Sequence, residues 1–259
     1  MLDNSGYRPA PGHCSVRPRL RSSKDIVQST DNTKDVEQRR YVPGYFDNRL
    51  AYDRNRMAVW GHICRYLERW IPSESDVLEL GAGWCDFSNQ VTARSVVAVD
   101  VDSIVERSAE PHVRSIVGDA RDLRDLDDDS FDVVFASNLL EHLNRDDTRS
   151  LLGEAARLLR PDGRLILLQP NFRLNPGRYF DDFTHVSIFT DQSLPDYLSA
   201  EGWIVADVRA RFLPLTMKSG GSRLSFLVPW YLRSPWKPLA GQMLVVARPQ
   251  PNHPIGSGT

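Results

Sequence analysis

An alternation constrains this fold more than any single residue does. Five short runs rich in β-branched and apolar residues, DVLEL (76–80), SVVAVD (95–100), VRSIVGD (113–119), FDVVFASN (131–138) and GRLILLQPN (163–171), are separated by helical or polar segments. Strands that alternate with helices pair in parallel, because a parallel pair needs a crossover long enough to hold a helix. Asp146 to Leu159 supplies one such helix, with Leu151, Leu152, Ala155, Leu158 and Leu159 on one stripe, and Pro161 and Gly163 are expected to end it and turn the chain into the next strand. Two later runs, WIVADVRA and QMLVVARP, follow a helix near Gln192 to Ala200. The pattern predicts an α/β fold, a doubly wound seven-stranded sheet, mostly parallel with one antiparallel late strand.

The flanks read differently. Residues 1–40 are rich in Arg, Ser, Asp, Pro and Gln with few large apolar side chains, so they are expected to form a disordered tail. Within residues 41–72, Leu50, Met57, Trp60, Ile63, Cys64 and Leu67 recur at helical spacing ahead of Pro72, which marks an amphipathic lead-in helix. Tyr41, Tyr45, Phe46 and Arg49 in that segment are candidates for a lid, with packing of the aromatics on the core as the alternative. Residues 41–250 form the expected domain, with acceptor-side insertions at 172–190 and 212–240 and a flexible C-terminus at 251–259.

Composition narrows the class. The net charge of −2 offers no positive field for nucleic acid or an anionic membrane, so no nucleic-acid partner is expected. Cys14, Cys64 and Cys85 are odd in number and scattered, which speaks against a disulfide framework or a cysteine zinc site. No apolar run reaches the ~18 residues of a membrane span, and a cytoplasmic, soluble protein is expected. The stretch 224–239, with Trp, Tyr and Leu beside Arg233 and Lys237, is read as a buried excursion over the sheet, with transient contact at a membrane surface as the alternative.

The site begins with VLELGAGWCDF (77–87). Gly81 and Gly83 allow a tight turn at a strand end, where doubly wound sheets bind ligands. Asp100 lies 19 residues after Gly81 at the end of the second strand, where a carboxylate can accept from both ribose hydroxyls. A third glycine often completes such a turn, and here Cys85 stands in its place, between Trp84 and Asp86. Asp86, with Glu79 inside the first strand, would repel a pyrophosphate and favours a nucleoside with a cationic part over NAD.

VLELGAGWCDF, VVAVDVD, VGDARDL, FDVVFASNLLEHL and LLRPDGRLILLQPN, in this order and spacing, resemble the successive motifs of class I S-adenosylmethionine (SAM) dependent methyltransferases, which have a Rossmann-like fold. The resemblance implies SAM as cofactor, with Glu79, Gly81, Ala82 and Gly83 at its methionyl part, Asp100 and Val101 at the ribose, and Asp119 and Ala120 at the adenine. Asp86 and Asn138 complete the expected cofactor-binding set. RYFDDFTHVSIFTDQSLPDYLSAEGW and WKPLAGQMLVVARP resemble a branch associated with polysaccharide and glycolipid biosynthesis, which implies O-methylation of a sugar, glycan or glycolipid hydroxyl.

Methyl transfer to a hydroxyl requires a base. His142, in NLLEHL after the fourth strand, is the first candidate, with packing beside the adenosine as the alternative. Tyr179, Asp181, Asp182 and His185 crowd into seven residues of the insertion and form the second set, as base or hydroxyl clamp. A Mg²⁺ site there is not favoured and no metal ligands are assigned, since one loop offers few carboxylates. The alternatives to this reading are methylation of another small metabolite on nitrogen or carbon, and a non-catalytic SAM-binding scaffold. A homodimer is the default for a soluble oligomer.

Overall fold

The structure, a computed structural model, describes residues 51–214 and 227–251. The expected tail and the candidate lid residues Tyr41, Tyr45, Phe46 and Arg49 lie outside the described residues, as do residues 215–226 of the second insertion and 252–259.

Seven strands form one sheet: β1 (Asp76–Leu80), β2 (Ser95–Asp100), β3 (Val113–Val117), β4 (Phe131–Ser137), β5 (Leu159–Pro170), β6 (Trp203–Arg209) and β7 (Gln242–Pro249). Their order is β3-β2-β1-β4-β5-β7-β6. The first five pair in parallel, and β7 runs antiparallel to both β5 and β6. The one antiparallel strand expected late in the chain is therefore β7. The chain starts at the centre with β1, steps outward to β3, and returns to lay β4 on the other side of β1. This reversal opens a crevice at the carboxyl ends of β1 and β4.

Alternation within the strands sorts side chains between two cores. Val77, Val96, Val133, Ile166 and Val246 face one side, where Trp60, Ile63 and Leu67 of helix α1 (Arg54–Leu67) cover them. Leu78, Leu80, Val134, Leu165 and Leu167 face the other, under Leu151, Leu152, Ala155 and Leu158 of the long helix Arg145–Leu158 and Leu194 and Leu198 of Ser193–Ala200. Each fully buried Leu or Ile contributes roughly 1.5–3 kcal/mol of transfer free energy. The helix Arg145–Leu158 starts where the side chain of Asn144 accepts from the Asp147 amide.

One boundary differs from the sequence reading. The helix ends at Leu158, before Pro161 and Gly163, and β5 already begins at Leu159. Leu159 pairs with Phe131 and Arg164 with Val133, so Arg160–Gly163 form a bulge inside β5 rather than a turn ahead of it. A Cβ on Gly163 would lie 2.9 Å from the Arg160 carbonyl, and this close approach explains why a glycine stands there.

Candidate active site

The glycine turn follows β1 and keeps the chain in the left-handed region at alternate residues, with φ of 71° at Gly81, 48° at Gly83 and 55° at Cys85. A Cβ on Gly81 would sit 3.0 Å from Leu139 Cδ1, so this glycine also lets the loop after β4 close against the turn. The amides of Gly81, Ala82 and Gly83 are spent inside the protein. The Gly81 and Ala82 N–H groups donate to the Val99 carbonyl at 2.9 and 3.0 Å, and the Gly83 N–H donates to Asp100 Oδ2 at 2.8 Å. The reason is register: β1 and β2 are neighbours, so the turn leaving β1 folds onto the last residues of β2.

Cys85 adopts the backbone that a third glycine would, at a cost of roughly 1–2 kcal/mol for its Cβ. Its side chain is fully buried and its thiol donates to the Val105 carbonyl at 3.6 Å. Burial, with Glu79 and Asp100 nearby, pushes the thiol pKa up to about 12, so it is not a nucleophile at neutral pH. Glu79 is likewise internal. It points to the α1 side of the sheet like Val77, is 4% exposed, and accepts from the amide and hydroxyl of Ser88. Burial pushes its pKa up to about 8. Its task is to pin the far end of the turn to β1.

Asp100 ends β2 with both carboxylate oxygens at work, Oδ2 on the Gly83 amide and Oδ1 on the Asp102 amide, each at 2.8 Å. Burial raises its pKa, and those two amides oppose the rise. Val101, the next residue, is 53% exposed and offers apolar surface beside it. Asp119, after β3, is held by the Arg121 guanidinium, which also bridges to Asp147 at the start of the long helix. Burial would raise the Asp119 pKa, but these contacts outweigh it and lower it. Ala120, next to it, packs against the core on the long-helix side.

Asp86 is buried in an ion pair with Arg56 of α1, so the negative charge expected at the turn is largely matched within the protein. Burial raises the Asp86 pKa and Arg56 pulls it back. The match is incomplete: Asp86 Oδ1 and Arg56 Nη2 are both buried without a hydrogen-bond partner.

The acceptor-side candidates divide. After β4 the chain makes a 3₁₀ turn, Leu140–His142, and the insertion folds back onto it, with the Val186 and Ser187 amides donating to the Glu141 carbonyl. This docking brings together His142, Asp182 and His185 with Glu141 and Thr184, two residues that the sequence reading does not place among the site candidates. Thr184 Oγ1 lies 2.9 Å from His142 Nδ1 and donates to Asp182 Oδ1 at 2.6 Å. The His142 and His185 rings meet edge to face at 5.0 Å. Glu141 Oε1 is 4.0 Å from Nε2 of each histidine. Burial pushes the Glu141 pKa up to about 8 and lowers that of His142 to about 4, with His185 adding to the latter effect.

Tyr179, Asp181 and Asn138 each have partners within the protein. The Tyr179 ring packs on His185 at 4.7 Å, its hydroxyl donates to the Ser187 carbonyl at 2.6 Å and burial raises its pKa, so it orders the loop. Asp181 is exposed and pairs with Arg178, because adjacent residues of this turn point to opposite sides. Asn138, with φ of 50°, accepts from Gln242 of β7 at 2.9 Å and donates to Ser137, so its amide ties β4 to the antiparallel strand.

A seven-stranded sheet reversing at β1 and β4, a glycine turn after β1 and an acid ending β2 make up the Rossmann-like fold of class I SAM-dependent methyltransferases. Residues 78–167 match the family model described as a methyltransferase domain, and the chain carries such a domain. It is 27% identical over 133 residues to phosphoethanolamine N-methyltransferase 1 of Triticum aestivum, a match covering 44% of this chain and 27% of the length of that protein. The structure resembles Burkholderia thailandensis 1,6-didemethyltoxoflavin-N1-methyltransferase with S-adenosylhomocysteine bound, at a TM-score of 0.53 and 20% identity over 91% of this chain and 93% of that one. A SAM-dependent methyltransferase from Archaeoglobus fulgidus gives a TM-score of 0.54 at 19% identity, covering 74% and 93% of the two chains.

SAM, the cofactor of this class, supplies a methyl group on a cationic sulfur. The residues here fit it. Its amino-acid end carries one carboxylate and one ammonium, the two groups that an orphaned guanidinium nitrogen at Arg56 and an orphaned carboxylate oxygen at Asp86 would take. Among the described residues, no helix is long and apolar enough to cross a membrane.

Proposed function

We propose that the protein is a cytoplasmic O-methyltransferase that moves the methyl group of SAM to a hydroxyl of a sugar, polysaccharide precursor or glycolipid. The observation that carries this reading is the chain of contacts from His142 through Thr184 to Asp182. His142 lies on the loop after β4, which closes against the glycine turn at Leu139, and Thr184 and Asp182 reach it from the insertion after β5. A hydroxyl must lose its proton as it attacks, and a histidine oriented by a carboxylate-backed partner is suited to that proton. Arg56, Asp86, Asp100 and Asp119 would hold the donor, while His142, Asp182 and His185 orient the acceptor. The sugar class is supported by the resemblance of the segment from Arg178 to Trp203 to polysaccharide-associated methyltransferases.

The test is transfer of label from methyl-labelled SAM to a panel of sugar hydroxyl and amine acceptors. His142→Ala is expected to lower kcat on a hydroxyl acceptor by about 10²–10⁴-fold, with the dissociation constant for SAM unchanged. An amine acceptor is the second reading, favoured by the similarity to a phosphoethanolamine N-methyltransferase. An amine brings its own lone pair, so full activity in His142→Ala would select that reading over the first.

A further inference from the structure

We propose that Glu141, His142 and His185 form a binding site for one divalent cation of the zinc and manganese class, open toward the methyl acceptor. The cation's catalytic role rests on the function proposed above; the site itself rests on geometry. Glu141 Oε1 lies 4.0 Å from Nε2 of both histidines, and one ligand atom from each of the three residues falls within 4.8 Å of the others. Bond lengths of about 2.0–2.2 Å put the ligand atoms of such an ion roughly 3–3.5 Å apart, so the side chains need to draw in by only about 1 Å. Two imidazoles and one carboxylate suit Zn²⁺ or Mn²⁺, whereas Mg²⁺ prefers oxygen ligands and retained waters.

Two further observations point to a cation. Glu141 is 1% exposed, and its Oε2 is buried with no hydrogen-bond partner. A buried carboxylate short of partners is costly, and a cation between it and the imidazoles would offset that cost. The second observation concerns the tautomer of His142. The Thr184 hydroxyl has one proton and gives it to Asp182, so it accepts from His142 Nδ1 and holds that nitrogen protonated. Nε2 then carries the lone pair, and it is the nitrogen on the Glu141 side. Histidines that bind metals are commonly oriented by such an outer hydrogen bond on the other ring nitrogen.

Burial is graded across the three residues, with side-chain exposure of 1% at Glu141, 11% at His185 and 23% at His142. Three protein ligands with one accessible side is the pattern of catalytic rather than structural sites. A cation held here would lower the pKa of a hydroxyl that approaches it, the proton leaving to solvent water; His142 would then serve that hydroxyl as a ligand of the ion, and as its base when the ion is absent.

The experiment uses untagged, chelator-treated full-length protein, titrated separately with Zn²⁺, Mn²⁺ and Mg²⁺, and in parallel with SAM in the presence of chelator. One equivalent of Zn²⁺ or Mn²⁺ is expected to bind in preference to Mg²⁺. Glu141→Gln and His185→Ala are each expected to weaken that binding by at least about tenfold while circular dichroism shows them folded. Co²⁺ should give a visible absorption band in the wild type that His185→Ala loses, a readout that remains if Glu141→Gln fails to fold. Absence of stoichiometric binding, or binding indifferent to both substitutions, overturns the proposal. SAM binding without metal binding would end the cation site and leave the methyltransferase reading standing; metal binding without SAM binding would do the reverse.

Discussion

Replacing Arg56 with alanine is expected to cost the fold about 3–5 kcal/mol, the usual penalty for removing one partner of a buried ion pair. Arg56 is 8% and Asp86 9% exposed, and the substitution leaves the carboxylate with no cation in a place that already raises its pKa. The carboxylate escapes part of this cost by protonation, which gives the deficit a pH dependence of definite sign. A carboxyl whose folded pKa lies above its unfolded value stabilises the folded state when protonated and loses that contribution as pH rises through the folded pKa. The variant should therefore fall further behind the wild type at pH 8 than at pH 5. Urea melts at the two pH values measure this. Arg56→Met combined with Asp86→Leu should recover most of the loss, because it removes both charges and keeps the volume. A double variant as unstable as the single one would mean that Arg56 acts through packing alone.

Asp100→Ala is expected to raise the dissociation constant for SAM by about 100-fold, roughly 2.7 kcal/mol. A ribose hydroxyl bonded to a charged carboxylate is worth about 1.5–3 kcal/mol. The substitution also strands the Gly83 and Asp102 amides that the carboxylate now accepts from, which loosens the turn. Asp100→Asn separates the two effects, since its carboxamide oxygen can still accept from one amide. Calorimetric titration should rank affinities wild type, then Asn, then Ala, with melting temperatures falling less steeply than affinity. Equal affinity in all three would remove Asp100 from the cofactor site.

The number of strands and their mostly parallel pairing were legible because short apolar runs alternate with segments long enough to cross over the sheet. Val77 and Leu78 already belong to opposite faces in the sequence pattern. The positions of Gly81, Gly83 and Asp100 were legible because they sit at strand ends, where chain direction fixes their neighbourhood. The acceptor side was harder to read. Glu141 stands beside His142 in the sequence with no spacing signal of its own, and only the return of the insertion 42 residues later, with Thr184 on His142, gives it company. The partner of Asp86 lies 30 residues earlier on α1, a distance no local spacing rule spans. Tyr179, Asp181, Asp182 and His185 read as one cluster because they are close in sequence. The fold buries Asp182 and leaves Asp181 in solvent, since a turn splays its neighbours apart. The β5 bulge was missed because Pro161 and Gly163 end helices more often than they interrupt strands.

The central claim is that the turn from Gly81 to Cys85, with Asp100 beneath it, holds a cationic nucleoside. Isothermal titration of the untagged full-length protein with SAM, and separately with NAD, tests it most directly. Saturable binding of one SAM per chain with no heat from NAD is the predicted result. No binding of SAM, or NAD bound as tightly as SAM, would contradict the account.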